Sequence, residues 1–210
     1  MVLPIFFRIF AKKILVMKRE VFEAFVSDRK NMETIDKICY YAARLHDVDV
    51  NQKYDNKPYS FHLEMVAHYV MKWGDKVCYE ERHIIPLIFG AYFHDSIEDA
   101  RLTYNDVMKI AKKYMDDNQA LMATEIVYAL TDEKGRTRAE RGSDKHYEDI
   151  RNTLYAPFIK FCDRYANTKY SVEMESRMAE KYRAEMMDFV LKIGNDKFIP
   201  NELIQKILKL

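Results

Sequence analysis

Residues 87–100 read LIFGAYFHDSIEDA, seven uncharged and mostly apolar residues followed by His94, Asp95, Glu98 and Asp99. At about 100° per residue, a helix through this segment sets His94 and Glu98 one turn apart on one face. Asp95 and Asp99 fall one turn apart beside them. Three carboxylates and an imidazole then crowd the end of a segment whose apolar part must be buried. Crowded carboxylates repel one another and are costly to desolvate. A divalent cation removes that cost, and His with Asp supplies borderline and hard ligands for it. Helix ends are also charged simply because they reach water. Taken alone, the segment admits both a metal site and a solvated helix end.

Two further segments offer matching ligands. Pro58 to His62, PYSFH, opens a helix with a histidine in its first turn. Residues 161–168, FCDRYANT, set Asp163 in a stretch that is otherwise apolar through Phe158, Ile159, Phe161 and Cys162. Buried aspartates are rarely left unpaired. His62, His94, Asp95 and Asp163 come from three helices and can converge on one cation, with positions left open for water and substrate. A second His-Asp pair, His46-Asp47, falls outside this pattern and reads as a solvated helix end.

The elements that must position these residues are helical. Ile35, Ile38, Ala42 and Leu45 recur at three- and four-residue steps and predict a helix from about Met32 to His46. His62 to Trp73 follows the turn-like Asp55-Asn56-Lys57-Pro58, and a third helix runs from Pro86 through Glu98. Thr103 with Asp106 forms a capping-box pattern ahead of Val107, Ile110 and Tyr114. Asn118 to Leu130, a segment capped by Ser143 and beginning at Asp144, and Tyr155 to Ala166 follow. Met174, Met178, Tyr182 and Met186 make a stripe on a long helix, expected to be core. Asn201 is expected to cap the last helix. There is no useful alternating β pattern and no internal repeat. The polar run from Thr131 to Ser143 is short for a linker, so residues 1–210 read as a single all-α domain of about eight to ten helices. Its core is expected over about residues 30–172, with C-terminal helices over 173–210.

Composition narrows the function. The 210 residues carry 34 Lys+Arg against 33 Asp+Glu, a formal charge of +1, with 49% hydrophobic residues. That is enough apolar material for a core, which excludes a disordered chain. The missing basic excess excludes a protein that coats nucleic acid or an anionic membrane. No Gly-rich phosphate cradle and no GxSxG elbow is present. Cys39, Cys78 and Cys162 form no CxxC pair and fit reduced thiols in a cytoplasmic protein. Arg8, Lys12 and Lys13 interrupt the apolar N-terminus, so neither a membrane span nor a signal peptide is expected over residues 1–17. A docked first helix, or an initiation site set upstream of Met17, is, with a basic amphipathic anchor as the alternative.

Four stretches together carry a family resemblance: Gln52 through PYSFH, then HDSIED, then LTDEKGRTRAER, then DRYANT. Over residues 42–170 the chain resembles the metal-dependent HD phosphohydrolases, and more narrowly the hydrolase domain of the RelA/SpoT alarmone enzymes. HDxxED with an upstream PYxxH and a downstream DRxxN is specific; each alone is weak. The resemblance implies an HD-domain helical bundle in which His62, His94, Asp95 and Asp163 bind a Mn2+ ion. It implies that Glu98 and Asp99 orient and deprotonate the attacking water, and that Lys53 and Tyr54 face substrate. Asn167 would line a nucleoside pocket, and the basic run Lys134, Arg136, Arg138 and Arg141 would meet phosphates. The implied reaction removes pyrophosphate from the 3′ position of guanosine tetra- or pentaphosphate. Only residues 169–210 follow DRYANT, so a stand-alone hydrolase is expected.

The chain departs from the family pattern at Leu63, where a proline usually follows the first metal histidine, in an expected insertion at residues 75–83, and in a Gln52-to-Pro58 segment about one residue short, which leaves either Lys53 or Tyr54 at the usual arginine position. These departures bear on substrate. Three readings result: an alarmone hydrolase, an HD phosphohydrolase for another nucleotide, and a non-catalytic nucleotide sensor. Balanced charge favours a small nucleotide, held by local positive charge, over a polymer.

Overall fold

The computed structural model describes residues 16–131, 144–194 and 199–210. Its helices are α1 (Arg19–Ser27), α2 (Arg29–Ala43), α3 (Ser60–Trp73), α4 (Ile84–Phe93), α5 (Tyr104–Ala111) and α6 (Asp117–Leu130). They continue as α7 (Asp144–Asn152), α8 (Ala156–Glu173), α9 (Arg177–Ile193) and α10 (Asn201–Ile207). The two-residue strands β1 (Lys53–Tyr54) and β2 (Lys57–Pro58) pair antiparallel, with Lys53 opposite Pro58 and Tyr54 opposite Lys57. The fold is the expected all-α bundle. Lys134, Arg136, Arg138, Arg141 and the Ser143 cap lie outside the described residues, as does most of the N-terminal segment.

All ten residues of α4, IIPLIFGAYF, are buried. A helix that is apolar on every side has to be enclosed, and α2, α3, α6 and α8 enclose it. The closest approach is at Gly90, where an added Cβ would lie 2.7 Å from Ile126 Cγ2 on α6 and 2.9 Å from Ile159 Cδ1 on α8. Gly90→Ala should therefore destabilise the chain by about 1–3 kcal/mol through overpacking, less the fraction returned by the higher helix propensity of alanine. Urea unfolding should show a lower midpoint at unchanged slope; a raised midpoint would mean that α6 and α8 retreat freely.

Three sequence expectations need correction. HDSIED is not carried on a helix. α4 stops at Phe93, and residues 94–99 form successive turns, with Asp99 N–H bonded to Asp95 O at 2.8 Å and Leu102 N–H to Ser96 O at 3.1 Å. Arg101, at φ 59°, closes the series. His94 still has helical φ −55° and ψ −33°, so the regular ladder gives way just after it. Adjacent residues on a regular α-helix point about 100° apart, whereas here His94 Nε2 and Asp95 Oδ2 lie 2.9 Å apart. The methionine stripe also divides. α8 ends at Glu173, Met174 is 54% exposed, and the buried residues of α9 are Ala179, Met186, Phe189 and Ile193. Steps of four residues drift by about 40° each around a helix, which carries such a stripe off the core face. Finally, Pro200 rather than Asn201 stands at the cap of α10.

The Thr103–Asp106 capping box is present on α5, as its spacing predicts. Residues 74–83 join α3 to α4 through two short 3-10 turns and pack under α1, whose Phe22 ring covers Gly74. Among the described residues, no helix is long and apolar enough to cross a membrane.

Candidate metal centre

The site is assembled from three segments: the first turn of α3, the turns after α4, and the middle of α8. His62 sits in that first turn of α3, and the Ser60 N–H that begins the helix is bonded to Asp47 Oδ1 at 3.0 Å. Asp47 belongs to a π-helical turn, Arg44–Asp49, that continues α2. His46 of the same turn is fully buried. The pair expected to be a solvated helix end is thus part of the frame that holds the site. The wider π turn directs both side chains inward toward α3, which burial of the α2 face alone did not predict.

His62 and His94 bring their Nε2 atoms to 3.3 Å from each other. Asp95 Oδ2 lies 2.9 Å from His94 Nε2 and 3.6 Å from His62 Nε2. Asp163 Oδ1 lies 3.4 Å from His62 Nε2 and 3.9 Å from His94 Nε2. The ligand atoms of His62, His94 and Asp95 all fall within 4.8 Å of one another. The imidazoles are deeply buried, at 2% and 3% side-chain exposure, whereas Asp95 and Asp163 keep 23% and 15%. The centre is therefore reachable from its carboxylate side.

This donor set fits a divalent cation. His94 Nδ1 donates to Ala91 O at 2.8 Å, so its proton is on that side and the Nε2 lone pair is left for the centre. His62 Nδ1 has no hydrogen-bond partner among the described residues, so His62 Nε2 is occupied either by a proton, donated toward His94 or the aspartates, or by a cation that takes its place. Ligands about 2.1 Å from a common ion stand roughly 3.0–3.4 Å apart at octahedral and tetrahedral angles, which is the spacing of the two Nε2 atoms.

The electrostatics lead the same way. Burial alone would depress the His62 imidazolium, but the nearby Asp163 and Asp95 carboxylates outweigh burial and push it up to about 9. His94 is raised against its own burial by the Asp95 charge. Burial would raise the two carboxyls, but the charge of His94 and the bonds from His62 and His94 hold Asp95 well below its ordinary value. The His62 bond and the His94 charge lower Asp163 likewise. The carboxylates thus demand positive charge, supplied by protons when no cation is bound and released when one is.

A pH dependence follows for the metal-free protein. The folded value of His62 lies above the 6.5 of an ordinary histidine. Its contribution is therefore complete below about pH 6.5 and is lost as pH rises through about 9. Melting of chelator-treated protein should show a falling Tm across that window, and added Mn2+ should restore it at the alkaline end. A Tm flat from pH 6.5 to 9 would contradict the coupling of His62 to the two aspartates.

Each carboxylate is also held from behind. Tyr59 Oη donates to Asp95 Oδ2 at 2.5 Å, Asn167 Nδ2 to Asp163 Oδ1 at 2.5 Å, and Gln52 Nε2 to Asp99 Oδ2 at 2.7 Å. Tyr54 Oη donates to Asn167 Oδ1 at 2.8 Å, and the Tyr54 ring stacks on His62 with centroids 4.9 Å apart. Burial raises both phenols, with the charges of Asp95 and Asp99 adding to it at Tyr59, so both remain donors. Lys53 is exposed on β1, and Glu98 is exposed on the turns that carry Asp99.

The structure thus brings together His62, His94, Asp95 and Asp163, with Asp99, Asn167 and Tyr54 in the surrounding layer. Sequence reasoning missed His46, Asp47, Gln52 and Tyr59 as parts of the site. Tyr59 had a signal, since it stands three residues before His62 at a helix start, where such pairs share a face. Compared with known proteins, the chain matches no family model, no curated protein and no solved structure.

Proposed function

We propose that the chain is a Mn2+-dependent phosphohydrolase of the HD kind, acting on a nucleotide, and that it removes the 3′-pyrophosphate of guanosine 3′,5′-bispyrophosphate. The observation that carries the metal-dependent reading is the pair of imidazole Nε2 atoms 3.3 Å apart, flanked by Asp95 and Asp163. The nucleotide and its 3′-pyrophosphate rest on the resemblance of PYSFH, HDSIED and DRYANT to the alarmone hydrolases.

His62, His94, Asp95 and Asp163 would hold the ion. Once bound there it supplies Lewis acidity, polarising a phosphoryl oxygen and making water more acidic. The chain supplies the rest. Asp99, fixed by Gln52, accepts the proton of the attacking water, and Glu98 on the same turns orients that water. The partly exposed edges of Asp95 and Asp163 leave the phosphate an approach from solvent. Hydrolysis forms a bond from the water oxygen to the phosphorus attached at the 3′ position and breaks the bond from that phosphorus to the ribose 3′ oxygen, which takes up a proton as pyrophosphate leaves. The proposed setting is the cytoplasm, where free thiols such as Cys39, Cys78 and Cys162 persist.

A second reading, hydrolysis of a different nucleotide such as a cofactor phosphate, a dNTP or a nucleoside monophosphate, is favoured by one observation. The Asn167 amide already uses one lone pair for Tyr54 Oη and one N–H for Asp163 Oδ1, so a nucleoside would have only its second lone pair and second N–H to read, a narrow basis for selecting guanosine. A Mn2+-supplemented screen of nucleotides, with pyrophosphate and phosphate release measured separately, tests both. Pyrophosphate from the alarmone alone supports the first, turnover of other nucleotides the second. Tight binding without turnover would overturn both in favour of a sensor.

A further inference from the structure

Gln52 stands between Asp99 and a histidine that touches no carboxylate at the centre through its own ring nitrogens. A carboxylate oxygen accepts hydrogen bonds, so the Gln52 group 2.7 Å from Asp99 Oδ2 is the amide nitrogen. The amide oxygen then faces His46 Nδ1, at 2.7 Å. A carbonyl oxygen cannot donate, so the proton of this bond is on His46 Nδ1. The backbone repeats the link, with Gln52 N–H bonded to His46 O at 2.8 Å. His46, Gln52 and Asp99 therefore form a chain of donors running in one direction.

A glutamine amide presents oxygen or nitrogen equally well after a half-turn. Here the Asp99 carboxylate, which only accepts, selects the orientation that directs N–H at it, and the His46 Nδ1–H holds the amide oxygen in place behind that bond. Packing alone does not account for a histidine at this place. His46 is 0% exposed, its ring lies against Tyr59 with centroids 5.0 Å apart, and its Nε2 has no hydrogen-bond partner among the described residues. A phenylalanine would fill the same space without burying an unsatisfied nitrogen.

We propose that His46 is a positioning residue for hydrolysis, fixing Asp99 through Gln52 as the acceptor of the water proton. The proposal rests on the phosphohydrolase reading. It predicts that His46→Phe, which keeps a ring against Tyr59 but removes the donor, lowers kcat by on the order of 10- to 100-fold. KM, Mn2+ binding and Tm should change little. His46→Asn, whose amide N–H can stand where Nδ1–H stood, should recover most of the lost kcat. Gln52→Leu should match His46→Phe, and the double variant should be no worse than either single one.

The assay uses the full chain, Mn2+ and guanosine 3′,5′-bispyrophosphate, or whichever nucleotide of the screen the wild type turns over. An active wild type with unchanged kcat in His46→Phe, or with additive losses in the double variant, overturns the proposal and leaves the phosphohydrolase reading standing. A wild type inactive on every nucleotide overturns both. If His46→Phe does not fold, Gln52→Leu decides: a kcat loss at constant KM supports the proposal, and an unchanged kcat overturns it.

Discussion

Asp163→Asn should leave a folded chain that no longer hydrolyses nucleotide in the presence of Mn2+. The substitution keeps the shape of the side chain, including an oxygen that can still accept from Asn167 Nδ2. It removes one of the two carboxylates whose charge would make the His62–His94 pair a cation site. Lewis-acid stabilisation worth several kcal/mol corresponds to at least roughly a 10³-fold fall in turnover, to background in a phosphate-release assay. Asp95→Asn should do the same from the other side of the imidazoles, where Tyr59 would still donate to the remaining oxygen. Full activity in either variant would sink the assigned centre.

The second large effect separates chemistry from metal binding. Glu98→Gln and Asp99→Asn should each lower kcat by about 10²- to 10⁴-fold, the usual scale of a positioned acid or base. Both should bind Mn2+ as the wild type does, because neither side chain is among those that converge on the imidazoles. The larger loss is expected at Asp99, which Gln52 holds in one orientation. Loss of Mn2+ together with activity in Glu98→Gln would instead make Glu98 a ligand.

What the sequence disclosed, and what it did not, divides along physical lines. The uncharged run ending at Phe93 announced an enclosed helix, because nothing but burial suits ten such residues. Thr103 with Asp106 announced a helix start, because capping is a local event. His62, His94, Asp95 and Asp163 were legible as a set, since charged groups in apolar surroundings need partners. Helical periodicity overran the end of α4, because a helix that gives way to single turns at His94 leaves no mark in the spacing of apolar and charged residues. His46 was misread because its partner Gln52 is brought round by the π-helical turn, and no periodic pattern signals such a turn. Asn167 was legible as a member of the site, but the Tyr54 bond that spans β1 to α8 depends on where the hairpin lands. Long-range contacts of this kind belong to packing, which a single sequence reports only through burial.

The central claim is that two histidines and two aspartates form a divalent-cation centre. Titrating chelator-treated protein with Mn2+ and measuring free ion by its electron paramagnetic resonance signal tests it without any assumed substrate. Saturable binding of one ion per wild-type chain, abolished by Asp95→Asn and weakened by acidification as the imidazoles take up protons, is the predicted result. No saturable binding by the wild type, or undiminished binding by Asp95→Asn, would contradict it.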